Sequence, residues 1–287
     1  MSAARELRPL PRAFFEREVL VVARELLGQL IVRRVGRALL VARIVEVEAY
    51  GGRDCDPSAH SFRGETPRCR VMFGPAGHAY VYSTHQGRCC LNVSAVGDAR
   101  GQAVLLRAAE PLLGEDAMRA ARLAGLADGP TRERLLRGGA PHELLSGPAR
   151  LCTALGIDRA LDGADLCAPG GPLWLADGQA VASLVKEAEG KSAAARRVVA
   201  PADRTVRAAG TRRAAGTRRV AWTQRVGLNP KSAAFGWHWR AQLVDSRAVS
   251  APRLLAEAVA QPKPRRATIR PASGSSSAFG RGRRMDS

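Results

Sequence analysis

The chain has 287 residues, 46% of them hydrophobic, with 45 Lys and Arg against 26 Asp and Glu. That length supports a full core in one or two domains, and the net charge of +19 points to a polyanionic partner. No apolar run reaches the ~18 residues of a membrane-spanning helix, and the charged start MSAARELRPLPRAFFEREVL lacks the apolar stretch of a secretory signal. An intracellular protein is therefore expected (cytoplasm or nucleoid if bacterial), with no membrane partner.

Taken in chain order, Phe15 to Gly28 carries Phe15, Val19, Val22, Ala23 and Leu26 at helical spacing, with Gly28 as a stop. QLIVRR and ALLVARIVEVEAY read as two strands joined near Val35-Gly36. Strict alternation along the second would put Glu46, Glu48 and Tyr50 on one face with Ala42 and Ile44, and Val41, Val45, Val47 and Ala49 on the other. A long loop rich in Gly, Pro, Asp and Ser follows through Gly77. HAYVYST and RCCLNVSA form a hairpin with His85-Gln86-Gly87 near its turn, and AVLLRAAEPL is a further strand.

From Leu113 the pattern turns helical, through EDAMRAARLAG, TRERLLRGG and a turn-then-helix at LLSGPARLCTALGI that Gly156 ends. PLWLA and RVAWTQRVGL suggest further strands. Between them, residues 178–220 hold ten Lys and Arg against three acids and repeat RAAGTR, a low-complexity insertion. Residues 261–287, with seven basic residues against one acid, read as a disordered basic tail. One globular domain over residues 10–255 is expected. The six cysteines make no C-x-x-C pair and no zinc pattern, so reduced thiols and no metal are expected.

Four stretches place polar or aromatic residues inside apolar strands or a glycine-rich loop: EVEAY, AHSFRGETPRCRVMFG, YVYSTHQGRCCLNVS and VLLRAAEPL. Glu48 is a candidate base, Tyr50 and Tyr82 candidate stacking surfaces, and His60 a candidate lid or donor. Arg107 is costly to bury without a carboxylate such as Glu48, and Asn92 needs hydrogen-bond partners. Each alone also fits a structural role, the glutamates in water on a half-solvated strand being the simplest.

In concert these stretches resemble the alkyladenine (3-methyladenine) DNA glycosylase family. The resemblance runs from ARELLGQLIV through RIVEVEAY, TPRCRVMFGPAGHAYVY, LNVS, AVLLRAAEPL and LLSGPARLCTALGI, and resumes at TQRVGLNP. It implies an α+β fold: a single domain with a curved, mostly antiparallel sheet, a protruding β-hairpin and packed helices. It implies Glu48 as the base that activates a water, Arg107 as the second water-site residue, and Tyr50, His60 and Tyr82 as the slot for a flipped base. Asn92 would screen bases by clashing with the amino group of guanine. The partner would be double-stranded DNA containing damaged purines, the enzyme a monomer that needs no cofactor, and the product an abasic site without strand cleavage.

The chain departs from the family at the hairpin tip, where His85 and Gln86 stand in place of the usual intercalating tyrosine and glycine, and at Cys69, where an asparagine is expected. Two rival readings stay open at this point. One is a basic nucleic-acid-binding protein that keeps the fold without catalysis. The other is a carbohydrate hydrolase using Glu46 and Glu48, which lie about 7 Å apart on one strand face.

Overall fold

The first apolar segment folds as two helices where one was expected. In the computed structural model, which describes residues 7–84, 87–181, 219–234 and 236–250, α1 (Arg12–Phe15) ends at Glu16 and α2 (Val19–Leu26) starts afresh. The restart is set by Glu18, whose Oε2 accepts from the N–H groups of Leu20 (2.9 Å) and Val21 (3.1 Å). Those donors would otherwise be unsatisfied at the new N-terminus. The expected apolar set is still buried throughout, and each of its larger side chains contributes about 1.5–3 kcal/mol relative to exposure.

β1 (Leu30–Val35) and β2 (Ala38–Tyr50) pair antiparallel across a turn at Gly36, whose φ of +55° suits glycine. β3 (Ala79–Ser83) and β4 (Cys89–Ala95) form the second hairpin, and β5 (Gln102–Leu113) lies between β4 and β2. Three helices follow: α3 (Glu115–Ala124), α4 (Pro130–Leu136) and α5 (Pro148–Leu155), the last ended by Gly156 in the left-handed conformation. β6 (Leu173–Ala176) pairs with β1, while β7 (Val220–Thr223) pairs with β8 (Arg240–Leu243). β8, an element the sequence reading missed, pairs with β2 at Glu46 to Glu48.

The result is an α+β domain on one open antiparallel sheet in the order β3-β4-β5-β2-β1-β6, with β8 and β7 branching from the far half of β2. The main core lies where α2, α3 and α5 pack against β2, β4 and β5. Among the described residues no helix is long and apolar enough to cross a membrane, and the six cysteines are free thiols. His85 lies outside the described residues. So do the tail 261–287 and all but the first four and last two residues of the 178–220 insertion.

The strict alternation expected along β2 does not hold. In its ladder with β5, Ile44 faces Ala109 and Glu46 faces Ala108, leaving Val45 without an opposite number. The next pair is Val47 with Leu106, which leaves Arg107 as the extra residue on β5. Two compensating bulges thus restore the register while re-aiming the side chains between them. Ala42, Ile44, Val47 and Ala49 all join the main core, whereas Val45 packs separately with Ala108, Ala248 and Val249. Glu46 and Glu48 end up on the face away from that core, beneath the C-terminal segment.

Candidate active site

A cavity of about 270 Å³ opens over the C-terminal half of β2, β3 and β4, close to the lower bound of roughly 300 Å³ for small-molecule pockets. Its lining includes Glu48, Tyr50, His60, Tyr82, Asn92 and Arg107, so all six described residues singled out from sequence meet in one place. The strand-to-loop exit beside it is tight. A Cβ on Gly51 would come within 2.8 Å of the Trp239 ring, so only glycine lets the backbone leave β2 against that indole.

Glu48 is fully buried, yet lines the cavity. Its Oε1 accepts the Val226 N–H at 2.7 Å, and its Oε2 accepts the Tyr50 hydroxyl at 2.9 Å. Arg107 Nη1 stands 3.3 Å from Oε1. Arg107 was expected to pair with Glu48, but its shorter contact is elsewhere: Nε lies 2.8 Å from Glu46 Oε1. Burial pulls the Arg107 guanidinium pKa down, but the charges of Glu48 and Glu46 outweigh it, and the net direction is up. Arg107 therefore stays a cation.

Glu46 is not part of the cavity. Its Oε1 takes Arg107 Nε, Arg240 Nε (2.7 Å) and the Ser250 hydroxyl (2.8 Å), and its Oε2 takes the Ser250 N–H (2.6 Å). The carbohydrate-hydrolase reading needs two carboxylates across one bond. Here the second is consumed by buried donors, and among the described residues Glu48 is the one acid of the lining.

The aromatic wall comes from two directions. Tyr80 and Tyr82 share one face of β3, rings tilted by 34° at 5.5 Å, and His60 packs edge-on against Tyr82 at 4.7 Å from the preceding loop. His60 Nδ1 lies 2.9 Å from the Tyr80 hydroxyl. His60 as a residue is exposed, but the tyrosine rings packed on one side of its imidazole desolvate it. With the Arg68 charge second, they lower its pKa to about 4, so the ring is neutral near pH 7. Burial likewise pushes the tyrosines up, Tyr80 to about 12 and Tyr50 well above its usual value with Glu48 adding to the shift. All remain phenols. Asn92, 4% exposed, donates from Nδ2 to the Tyr80 carbonyl at 3.0 Å and faces Tyr80 across the hairpin.

Residues not anticipated from sequence complete the surroundings. Tyr80 was legible in principle, since AYVYS places it two residues from Tyr82. Val226, Gly227 and Leu228 close the cavity from the far end of the chain, and nothing local in VGL marks a backbone donor. Asp56 and Arg225 form a buried bidentate pair, Nη1 to Oδ2 at 2.6 Å and Nη2 to Oδ1 at 2.9 Å. Cys69, at the expected asparagine position, is buried with Met72, Tyr80 and Ala103 behind the cavity wall. Among the described residues, no group of three His, Cys, Asp or Glu side chains is placed to hold a metal ion.

The model of the methylpurine-DNA glycosylase family matches residues 13–207. A Streptomyces avermitilis protein named "Putative 3-methyladenine DNA glycosylase" is 47% identical over 182 residues, covering 63% of this chain and 79% of that protein. Proteins of the same name from Koribacter versatilis and Methanocella arvoryzae are 45% and 44% identical, each across 61% of this chain and 79% and 80% of their own lengths.

Proposed function

The chain belongs to the methylpurine-DNA glycosylase family, and from that premise we propose that it excises alkylated or deaminated purines, 3-methyladenine foremost, from double-stranded DNA. Membership makes it a DNA glycosylase, a hydrolase of N-glycosyl bonds acting in DNA repair. The observation that carries the finer reading is Glu48, a buried carboxylate at the edge of a base-sized cavity walled by Tyr50, His60, Tyr80 and Tyr82.

The damaged nucleotide leaves the duplex and its base enters the cavity. A purine alkylated at N3 or N7 is positively charged, so the electron pair of the breaking C1′–N bond neutralises it as it departs, while a neutral lesion such as hypoxanthine leaves as the neutral base once it has taken up a proton from solvent. A neutral imidazole and three phenols can line such a cation without like-charge repulsion, and their ring faces attract it. Positive charge then grows on the sugar, where the fixed Glu48 carboxylate stabilises it. A water oxygen bonds to C1′ and gives up a proton to Glu48, and the product is the abasic site. Tyr50 and Val226 each occupy one lone pair of Glu48, which leaves acceptor capacity on the carboxylate for that water. Asn92, fixed by the Tyr80 carbonyl, is the proposed barrier to the amino group of guanine.

The test is base release. Purified protein incubated with duplexes containing 3-methyladenine, ethenoadenine or hypoxanthine should liberate the free base, detected by chromatography, and leave alkali-labile but uncut strands. Tight binding to these duplexes with no base released would favour the non-catalytic reading instead.

A further inference from the structure

We propose that Arg225 and Asp56 are a positioning pair for Glu48, holding both donors that fix the catalytic carboxylate; this rests on the excision reading above. Neither residue lines the cavity, so any effect on the reaction runs through the groups they hold.

The pair ties three segments together. Asp56 Oδ2 accepts the Gly51 N–H and its Oδ1 the Ser58 N–H, each at 3.0 Å, joining the end of β2 to the loop that carries His60. Arg225 Nη1 donates to the Ala49 carbonyl at 3.0 Å, between Glu48 and Tyr50. Its guanidinium lies over the Tyr50 ring at 4.7 Å and the Trp239 ring at 5.4 Å. The next residue, Val226, gives its N–H to Glu48 Oε1. Tyr50 is thus held by stacking and Val226 by covalent adjacency, and these are the donors on the two oxygens of Glu48.

Stability alone is a poor account of the pair. Taking an ion pair fully out of water gains little over apolar packing of similar volume, and among the described residues the buried Arg225 Nε has no hydrogen-bond partner, a further cost. A planar fork that bonds an acid with two nitrogens while stacking on an aromatic face is geometry that lysine cannot copy. Burial acts against the Arg225 charge, but Asp56 outweighs it and the net direction of the pKa is up. Arg225 therefore stays a cation.

The test uses the full chain with Arg225→Lys, and with the neutral pair Asp56→Asn/Arg225→Gln, which leaves no buried charge uncompensated. Single-turnover excision from an ethenoadenine duplex is compared with affinity for two abasic-site duplexes, one with a neutral tetrahydrofuran and one with a cationic pyrrolidine that mimics the charged sugar. Expected is a roughly tenfold to hundredfold slower excision, the scale of a misplaced catalytic group. Tetrahydrofuran affinity should barely change, and the preference for pyrrolidine should shrink in parallel with the rate.

Folded variants with wild-type rate and preference overturn the proposal. A matched loss of rate and tetrahydrofuran affinity does so too, as does a neutral pair that fails to fold, since each assigns the pair to structure. Wild-type protein that prefers pyrrolidine but releases no base counts against the excision reading, while loss of that preference in the variants still supports the clamp.

Discussion

Arg107 lies closer to Glu46 than to Glu48, 2.8 Å through Nε against 3.3 Å through Nη1. Both glutamates sit just past a bulge in β2, and Arg107 is itself the bulged residue of β5. The two acids, two residues apart, therefore divide the work. Glu46 neutralises and anchors the arginines, and Glu48 meets the cavity.

That division separates two substitutions. Glu48→Gln should abolish base release while leaving DNA affinity nearly intact, because the amide keeps the shape and loses the proton acceptor. Glu46→Gln removes the carboxylate charge from the shortest contacts of Arg107 (2.8 Å) and Arg240 (2.7 Å), and removing one partner of a buried pair costs about 3–5 kcal/mol. Chemical denaturation should show that loss together with a reduced but measurable rate. Equal effects of the two substitutions on rate and stability would contradict the separation.

Tyr50 carries two functions that a single methodical pair of substitutions pulls apart. Tyr50→Phe keeps the ring in the cavity and deletes the 2.9 Å donor to Glu48. A hydrogen bond to a charged group contributes about 1.5–3 kcal/mol, which corresponds to a roughly tenfold to hundredfold slower excision if it is lost in the transition state. Lesion affinity should hold in Tyr50→Phe and fall in Tyr50→Leu, where the stacking face also goes. A binding titration beside a single-turnover time course checks both.

Much of this site was legible because its signals are local. EVEAY, YVY, LNVS and LLRA each break an apolar strand with a residue that is costly to bury, and their polar members other than Ser94, which bonds Pro75 and His78, reach the cavity or its support. The strand faces were misread because a bulge adds one residue at Val45, and no periodicity count can anticipate a two-against-one pairing with a strand some sixty residues away. The helix near Phe15 was read as continuous because its apolar spacing continues through the break, while the cap that starts α2 is a local contact from Glu18, a residue type not among the preferred N-caps. Arg225, Val226, Arg240 and Ser250 were missed for a different reason. They act through long-range contacts to residues 46–56, and β8 is only four residues long.

His60 gives a pH prediction with a definite sign. Its pKa is lowered from 6.5 to about 4, by burial first and the Arg68 charge second. Between those values the unfolded chain takes up a proton that the folded chain refuses. The stability tied to His60 is therefore complete above pH 6.5, is lost as pH falls toward about 4, and levels off below that. An NMR titration should show the His60 ring signals flat from pH 8 to below 6. The stability gap between wild type and His60→Gln should shift toward the variant as the solution is acidified. A ring titrating near 6.5 would mean that solvent on the exposed side of His60 outweighs its contacts with Tyr80 and Tyr82.

The basic tail should change how tightly the protein holds DNA without changing which base it removes. Residues 261–287 carry seven Lys and Arg against one Asp, and each basic residue that neutralises a phosphate adds about 0.9 to the steepness with which binding weakens as salt rises. Deleting the tail should lower affinity for undamaged duplex and flatten that salt dependence by as much as roughly six. On the proposed reading, selection among lesions belongs instead to the rings of Tyr50, His60, Tyr80 and Tyr82 and to the Asn92 amide, all of which line the cavity. Relative excision rates across a panel of alkylated and deaminated purines should accordingly be the same with and without residues 261–287. If their order changed, the tail would have to act at the cavity itself, and lesion choice could no longer be assigned to the five side chains that wall it.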